Sequence, residues 1–169
     1  PTKKLPAQLI RKLMPALNIR WEESKLIRSF ARCCIDTSDG LANSLHLLSD
    51  INRTGFILDK VPYYKPGLAA ARLMNKPKEL LLLGECGEYE LLFTVAPGME
   101  NDFLEAANHG KLHFTKIGTI TEHKERLLNH RNKILDLGNL NISARRFPDV
   151  KEYLSCLTAI LEKSWRKKE

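Results

Sequence analysis

The sequence predicts an α/β (α+β) fold in which a mixed sheet is packed with helices. Three observations predict it. Strand-like and helix-like segments alternate along the chain. A strand–turn–strand pattern in the last third adds an antiparallel pair. Two segments, 40–52 and 149–165, carry apolar residues at helical spacing and need a core to cover them. A chain of 169 residues holds one domain, or two small ones, and can bury a core without staples.

Each element follows from local pattern. Leu9, Ile10, Leu13 and Leu17 make a helix of residues 7–17, with Pro15 ending or kinking it. Leu26, Ile27 and Phe30 make a second over 21–31. Residues 33–36 are a short apolar run that stops at polar residues, which reads as a buried strand end. Leu41, Leu45, Leu48 and Ile51, widened by Leu47, form the best amphipathic stripe of the first half. Residues 55–58 are a strand closed by Pro62, and 67–74 an Ala-rich helix. Residues 79–83 continue that helix or form a turn of their own after Pro77. Tyr89, Phe93, Thr94 and Val95 favour a strand over 88–95, ended by Pro97-Gly98. Residues 101–107 read as helix, 112–120 as strand, and 126–135 as a hairpin turning at 129–132. Val150, Tyr153, Leu154, Leu157, Ile160 and Leu161 make a terminal helix, capped by Asp149 with Pro148 before it.

Composition excludes several classes. The hydrophobic fraction is 43% and the charged fraction 28%, ordinary for a globular protein. No apolar run approaches the roughly 20 residues of a membrane span. Residues 1–10 lack a signal-peptide pattern, so a cytoplasmic location is expected. Cys33, Cys34, Cys86 and Cys156 show no metal-site spacing and read as reduced, packed thiols. The net charge of +7 admits a nucleic acid or an anionic substrate. The basic residues are spread out, however, and no aromatics interleave with them. The densest group, Arg166, Lys167 and Lys168, reads as a solvated tail. Nucleic acid therefore ranks below a small anionic ligand, and no membrane partner is expected. The five histidines, His46, His109, His113, His123 and His130, read as surface or packed residues.

Two constellations carry chemistry. In Ile35-Asp36-Thr37-Ser38-Asp39-Gly40-Leu41, two carboxylates and two hydroxyls sit where a strand hands over to a helix. Carboxylate oxygens suit Mg²⁺, a helix N-terminus offers N–H groups to a phosphate, and Gly40 lets the backbone approach a ligand. The plainer alternative is a helix cap by Ser38 or Asp39. In Gly84-Glu85-Cys86-Gly87-Glu88-Tyr89-Glu90-Leu91-Leu92-Phe93-Thr94, acidic residues and glycines precede a strand. These carboxylates suit a cationic group or a metal, or else form a solvated loop.

Taken together, the two segments resemble thiamine-monophosphate kinase and, more broadly, the AIR synthase superfamily. His46-Leu47, Pro62 and Lys116-Ile117-Gly118-Thr119-Ile120 add to the likeness. The resemblance is specific over residues 33–120. It implies a lead-in of residues 1–32 and an AIR synthase-type C-terminal domain of residues 33–169. The family's N-terminal ATP-site domain, through which its members dimerise, is expected to be missing. It implies ATP and Mg²⁺, with phosphoryl transfer to thiamine monophosphate as a phosphorylated small-molecule substrate. On that pattern Asp36 and Asp39 are Mg²⁺ ligands, and Ser38, with Gly40, meets the nucleotide. No protein nucleophile is required. The family's substrate-contacting Glu falls on Gly87, which leaves Glu85 or Glu88 as substitutes. The family's aromatic substrate contact has no counterpart here, and the basic helix of residues 149–168 is an addition. Alternatives are another reaction on the same scaffold and a non-catalytic basic interaction domain.

Overall fold

The computed structural model describes residues 18–85 and 89–167. The first expected helix, residues 7–17, lies outside them, as do Cys86 and Glu88. The described elements run α1 (Trp21–Phe30), β1 (Ala31–Asp36), α2 (Leu41–Asn52), β2 (Gly55–Leu58), α3 (Lys65–Leu73), α4 (Leu80–Leu83), β3 (Leu91–Val95), α5 (Glu100–His109), β4 (Gly118–Thr121), β5 (Arg126–His130), β6 (Lys133–Asp136), a 3-10 turn (Ala144–Arg146), α6 (Val150–Lys163) and β7 (Trp165–Lys167). The fold is α+β, as the alternating pattern predicts.

Two sheets organise it. β1 and β3 pair antiparallel. The second sheet has the order β4-β2-β5-β6-β7. It is mixed, because β2 and β5 run parallel while its other pairs are antiparallel. Helix α2 touches both sheets. Its Ala42, Leu45 and Leu48 join Phe56, Leu58, Leu82, Leu83, Leu128, Leu135, Leu157 and Leu161 in one buried cluster. The apolar stripes of α2 and α6 thus close over the five-stranded sheet, where burial of each large side chain contributes about 1.5–3 kcal/mol. A smaller aromatic cluster ties α1 to β3 and α5. There Phe103 meets Phe30, Phe93 and Phe114 at centroid distances of 5.6, 5.4 and 4.9 Å.

Two expected elements come out differently. Residues 112–120 were expected as one strand, but only Gly118–Thr121 pairs. Phe114 is drawn instead into the aromatic cluster, which turns residues 112–117 away from a ladder. Gly118 begins the strand because an added Cβ would run into the Ile57 carbonyl. The expected basic tail is in part a strand, since Trp165–Lys167 pairs with β6 and forms the sheet's edge. Residues 80–83 form their own short helix rather than extending α3. The β5–β6 turn falls within the expected 129–132, but with Arg131 at φ 53°, a value that a long side chain seldom adopts. Among the described residues no helix is long and apolar enough to cross a membrane.

The cap of α6 is as expected: the Asp149 carboxylate accepts from Glu152 N at 2.9 Å. Asp149→Ala should therefore lower stability by about 1 kcal/mol. A urea midpoint unchanged within error would show that the cap contributes nothing.

Cys33, Cys34 and Cys156 are free thiols. Cys33 donates weakly to Asn52 Oδ1 at 3.4 Å. Cys34 is exposed, contrary to the packed reading. Neighbours on a strand point to opposite faces, so only one of the pair can be covered. Burial of its flank and the nearby Asp36 charge push its thiol pKa up, which makes it a poor thiolate.

Candidate functional site

The site grows from the junction of β1 and α2. Asp36 is the last residue of β1, opposite Leu91 of β3. Its side chain is solvent-exposed, and Asp36 Oδ1 accepts from Ser38 N at 2.9 Å. Hydrogen bonding by the Ser38 side chain first, and by its main chain second, holds Asp36 below the usual carboxylate range. The acid is thus kept ionised in the form that a cation needs.

Gly40 is the N-cap of α2, at φ 88° and ψ 156°, a conformation that glycine adopts at little cost. No side chain caps the helix, so the reading of Ser38 or Asp39 as a cap is not what the fold uses. The first-turn N–H groups, which no helical carbonyl can reach, lie at the positive end of the dipole, while the Gly40 N–H donates to Thr37 O at 3.0 Å. Polar side chains of the first turn hold the loop from behind instead. Ser44 Oγ donates to Asp36 O at 2.8 Å and Asn43 Nδ2 to Asp39 O at 3.0 Å. Asp39 and Ser38 are exposed.

The two motifs, distant in sequence, meet through Thr37. This residue is 2% exposed. Its N–H donates to Glu90 O at 2.9 Å, and its Oγ1 accepts from Glu90 N at 3.0 Å. Glu90 is held in turn by Arg20, whose Nε donates to Glu90 Oε2 at 2.7 Å. Tyr89 before it takes φ 53°, a strained value for a large side chain. Sequence reading missed both Thr37 and Arg20 as organisers. Thr37 had a signal, a β-branched hydroxyl at a strand end; Arg20 had none.

Glu85 lies at the same junction but is engaged on both oxygens. Asn43 Nδ2 donates to Oε1 at 3.2 Å and Ala144 N to Oε2 at 2.9 Å. It staples α2 to the 3-10 turn. Glu88, the other expected substrate contact, lies outside the described residues. Among those described, no group of three or more His, Cys, Asp or Glu side chains forms a metal cluster. Two shallow clefts of about 310 and 330 Å³ run beside α1, β1 and β3. Neither is lined by Asp36, Ser38, Asp39 or Gly40.

Behind the site, α2 is anchored by Arg126 of β5. Its guanidinium bonds Ser49 Oγ at 3.1 Å, His46 Nδ1 at 2.7 Å and the Asp50 carboxylate. Donation to Nδ1 leaves the ring proton on Nε2. His46 is 1% exposed, a packed residue as expected. Burial, and next the Arg126 charge, push His46 below its ordinary pKa of 6.5, while Asp50 and the Leu137 main chain pull the other way. The folded ring is neutral, so the unfolded chain binds the extra proton as pH falls below about 6.5. Stability from this group is complete above that pH and declines beneath it. The urea midpoint should drop between pH 7 and pH 5. A flat midpoint across that window would overturn the neutral imidazole.

This arrangement of helices and sheets is an AIR synthase-like fold. It is shared with thiamine-monophosphate kinase from Stenotrophomonas maltophilia at TM-score 0.52 and 23% identity, covering 61% of this chain and 33% of that one. Thiamine monophosphate kinase from Aquifex aeolicus gives TM-score 0.53 at 20% identity, with 72% of this chain and 44% of that one covered. HypE of Escherichia coli gives 0.56 at 17% identity, with coverages of 73% and 41%. The chain thus matches less than half the length of each. No protein-family model and no curated protein sequence matches it.

Proposed function

We propose that this chain is one domain of an ATP- and Mg²⁺-dependent phosphotransferase resembling thiamine-monophosphate kinase, in which ATP phosphorylates thiamine monophosphate to thiamine diphosphate. The observation that carries the reading is the Asp36–Gly40 turn. An ionised, exposed carboxylate stands there beside an α-helix opened by glycine and capped by no side chain. The fold shared with two thiamine-monophosphate kinases supports it.

The donor set fits Mg²⁺, a hard cation that takes carboxylate oxygens and shares phosphate oxygens. Asp36 and Asp39 would hold it, and its chemistry there is to neutralise phosphate charge. Two carboxylates alone leave most of the coordination to phosphate, water and another domain. Ser38 and Gly40 line the path of the nucleotide phosphates, with the helix dipole favouring negative charge. The exposure of Asp36, Ser38 and Asp39 suits a site that an N-terminal ATP-binding domain completes. In this reading residues 33–169 form the substrate-side domain, residues 1–32 lead into it, and the longer protein dimerises through the missing domain.

Glu85 favours a second reading. Its two hydrogen bonds within the fold make it a poor substrate ligand, and the position aligned with the family's substrate-contacting Glu is Gly87. A different phosphorylated acceptor on the same scaffold accounts for both. The test is a phosphoryl-transfer assay with ATP and Mg²⁺ on the longest native chain that contains these residues. Turnover of thiamine monophosphate supports the first reading. Turnover only of other phosphorylated acceptors supports the second, and no ATP-dependent turnover of any acceptor overturns both.

A further inference from the structure

The Glu85 staple sets a pair of arginines beside the Asp36–Gly40 turn. Glu85 Oε2 accepts from Ala144 N at 2.9 Å, while Oε1 accepts from Asn43 Nδ2 at 3.2 Å. The same Asn43 amide donates to Asp39 O at 3.0 Å. The 3-10 turn (Ala144–Arg146) thus stands one glutamate and one asparagine away from Asp39. In a 3-10 turn, residues three apart lie on one side. Ala144 and Phe147 accordingly share the side that packs on the core. Arg145 and Arg146 take the two other sides, and both are exposed.

Three features distinguish this pair from arginines that are merely solvated. The backbone beneath them is held. Ser143 Oγ accepts from Arg145 N at 3.3 Å, Glu85 fixes Ala144, and the Phe147 ring meets the buried Tyr153 ring at a centroid distance of 5.7 Å. Their charge is also unspent. Among the described residues neither guanidinium makes an ion pair. Both Glu85 oxygens are taken by neutral N–H donors, and Asp149, the nearest acid along the chain, accepts from Glu152 N at 2.9 Å. The third feature is electrostatic. Asp36 and Asp39 attract a metal ion but repel an anionic acceptor. An acceptor phosphate brought up to the γ-phosphate of ATP needs further positive charge, and the guanidinium fork matches phosphate geometry.

On the phosphotransferase reading of the Asp36–Gly40 turn, on which this assignment rests, we propose that Arg145 and Arg146 hold the phosphate of the acceptor. The substrate class is then a phosphate monoester recognised through its anion. A non-bridging oxygen of that phosphate forms the new bond to the γ-phosphorus of ATP. The bond from the γ-phosphorus to the oxygen it shares with the β-phosphate breaks, and that oxygen leaves with ADP. A dianionic acceptor has no proton to lose, so the arginines act by charge and position alone.

The experiment has two arms. In the first, the chain of residues 1–169 is titrated with inorganic phosphate and followed by ¹⁵N–¹H NMR. The amides of residues 143–147 and the Arg145 and Arg146 Nε–H signals should shift. Arg145→Gln with Arg146→Gln should weaken phosphate binding at least about tenfold, and the same spectra report whether the fold is kept. Lys65→Gln with Lys76→Gln removes the same charge elsewhere and should leave binding within about twofold. In the second arm, acceptor kinetics are measured on the longest native chain that contains these residues, with thiamine monophosphate and other phosphate monoesters. The double glutamine variant should raise the acceptor KM at least about tenfold and leave the KM for ATP within about threefold. Arg145→Lys with Arg146→Lys keeps the charge without the fork and should fall between. No shift at residues 143–147, or an equal loss in the lysine control, overturns the proposal. Turnover with an unchanged acceptor KM in the double variant also overturns it, and leaves the phosphotransferase reading standing. Phosphate binding at the turn without turnover of any acceptor removes the phosphotransferase reading, and the acceptor role with it.

Discussion

On the proposed phosphotransferase reading, Asp36→Asn reduces phosphoryl transfer by about 10²–10³-fold and leaves the fold intact. The asparagine is nearly isosteric, and its carbonyl oxygen can still accept from Ser38 N, the bond that Asp36 Oδ1 takes at 2.9 Å. Ser44 bonds the Asp36 main chain, which the substitution does not touch. Turn and helix are therefore kept, and only the charge goes. Metal neutralisation of phosphate is worth several kcal/mol in the transition state, and each 1.4 kcal/mol is about a tenfold rate. The measurement is turnover with ATP and Mg²⁺ in wild type and variant, with urea midpoints in parallel. Full activity in the variant would sink the metal-ligand role. Lost activity with an equally lowered midpoint would show that Asp36 is structural.

Phe56→Ala should cost about 3–5 kcal/mol. Phe56 is 1% exposed in β2, the strand that β4 and β5 flank. Its ring meets His46 edge-on at a centroid distance of 6.0 Å. Truncation leaves a cavity between the sheet and α2, the helix that carries the candidate site at its N-terminus. Whole domains are stable by only about 5–15 kcal/mol, so this single change removes a large share. Urea unfolding of the variant reads the loss directly. A cost below about 1 kcal/mol would mean that the core beneath α2 collapses to fill the gap.

The turn at Asp36–Gly40 and the stripe of α2 were legible because their causes are local. Apolar spacing drives a helix against a sheet, and Gly40 marks its start by backbone freedom alone. The α6 cap at Asp149 and the β5–β6 turn were readable for the same reason. Residues 112–117 were misread because β-favouring composition does not reveal that Phe114 has aromatic partners on other elements. The edge strand β7 was misread because a run of Trp, Arg and Lys pairs only when β6 stands beside it. That neither Ser38 nor Asp39 caps α2 was decided by hydrogen bonds, which spacing does not contain.

What the sequence by itself determined is the class of fold, the strand-to-helix junction and the carboxylates that stand there, since each rests on interactions within a few residues. Only the tertiary structure decided that Thr37 joins the two motifs and that Glu85 is spent on Asn43 and Ala144. Those contacts bring together segments far apart along the chain. Strand register and helix packing fix which of them meet, through burial and hydrogen-bond satisfaction that no local pattern encodes.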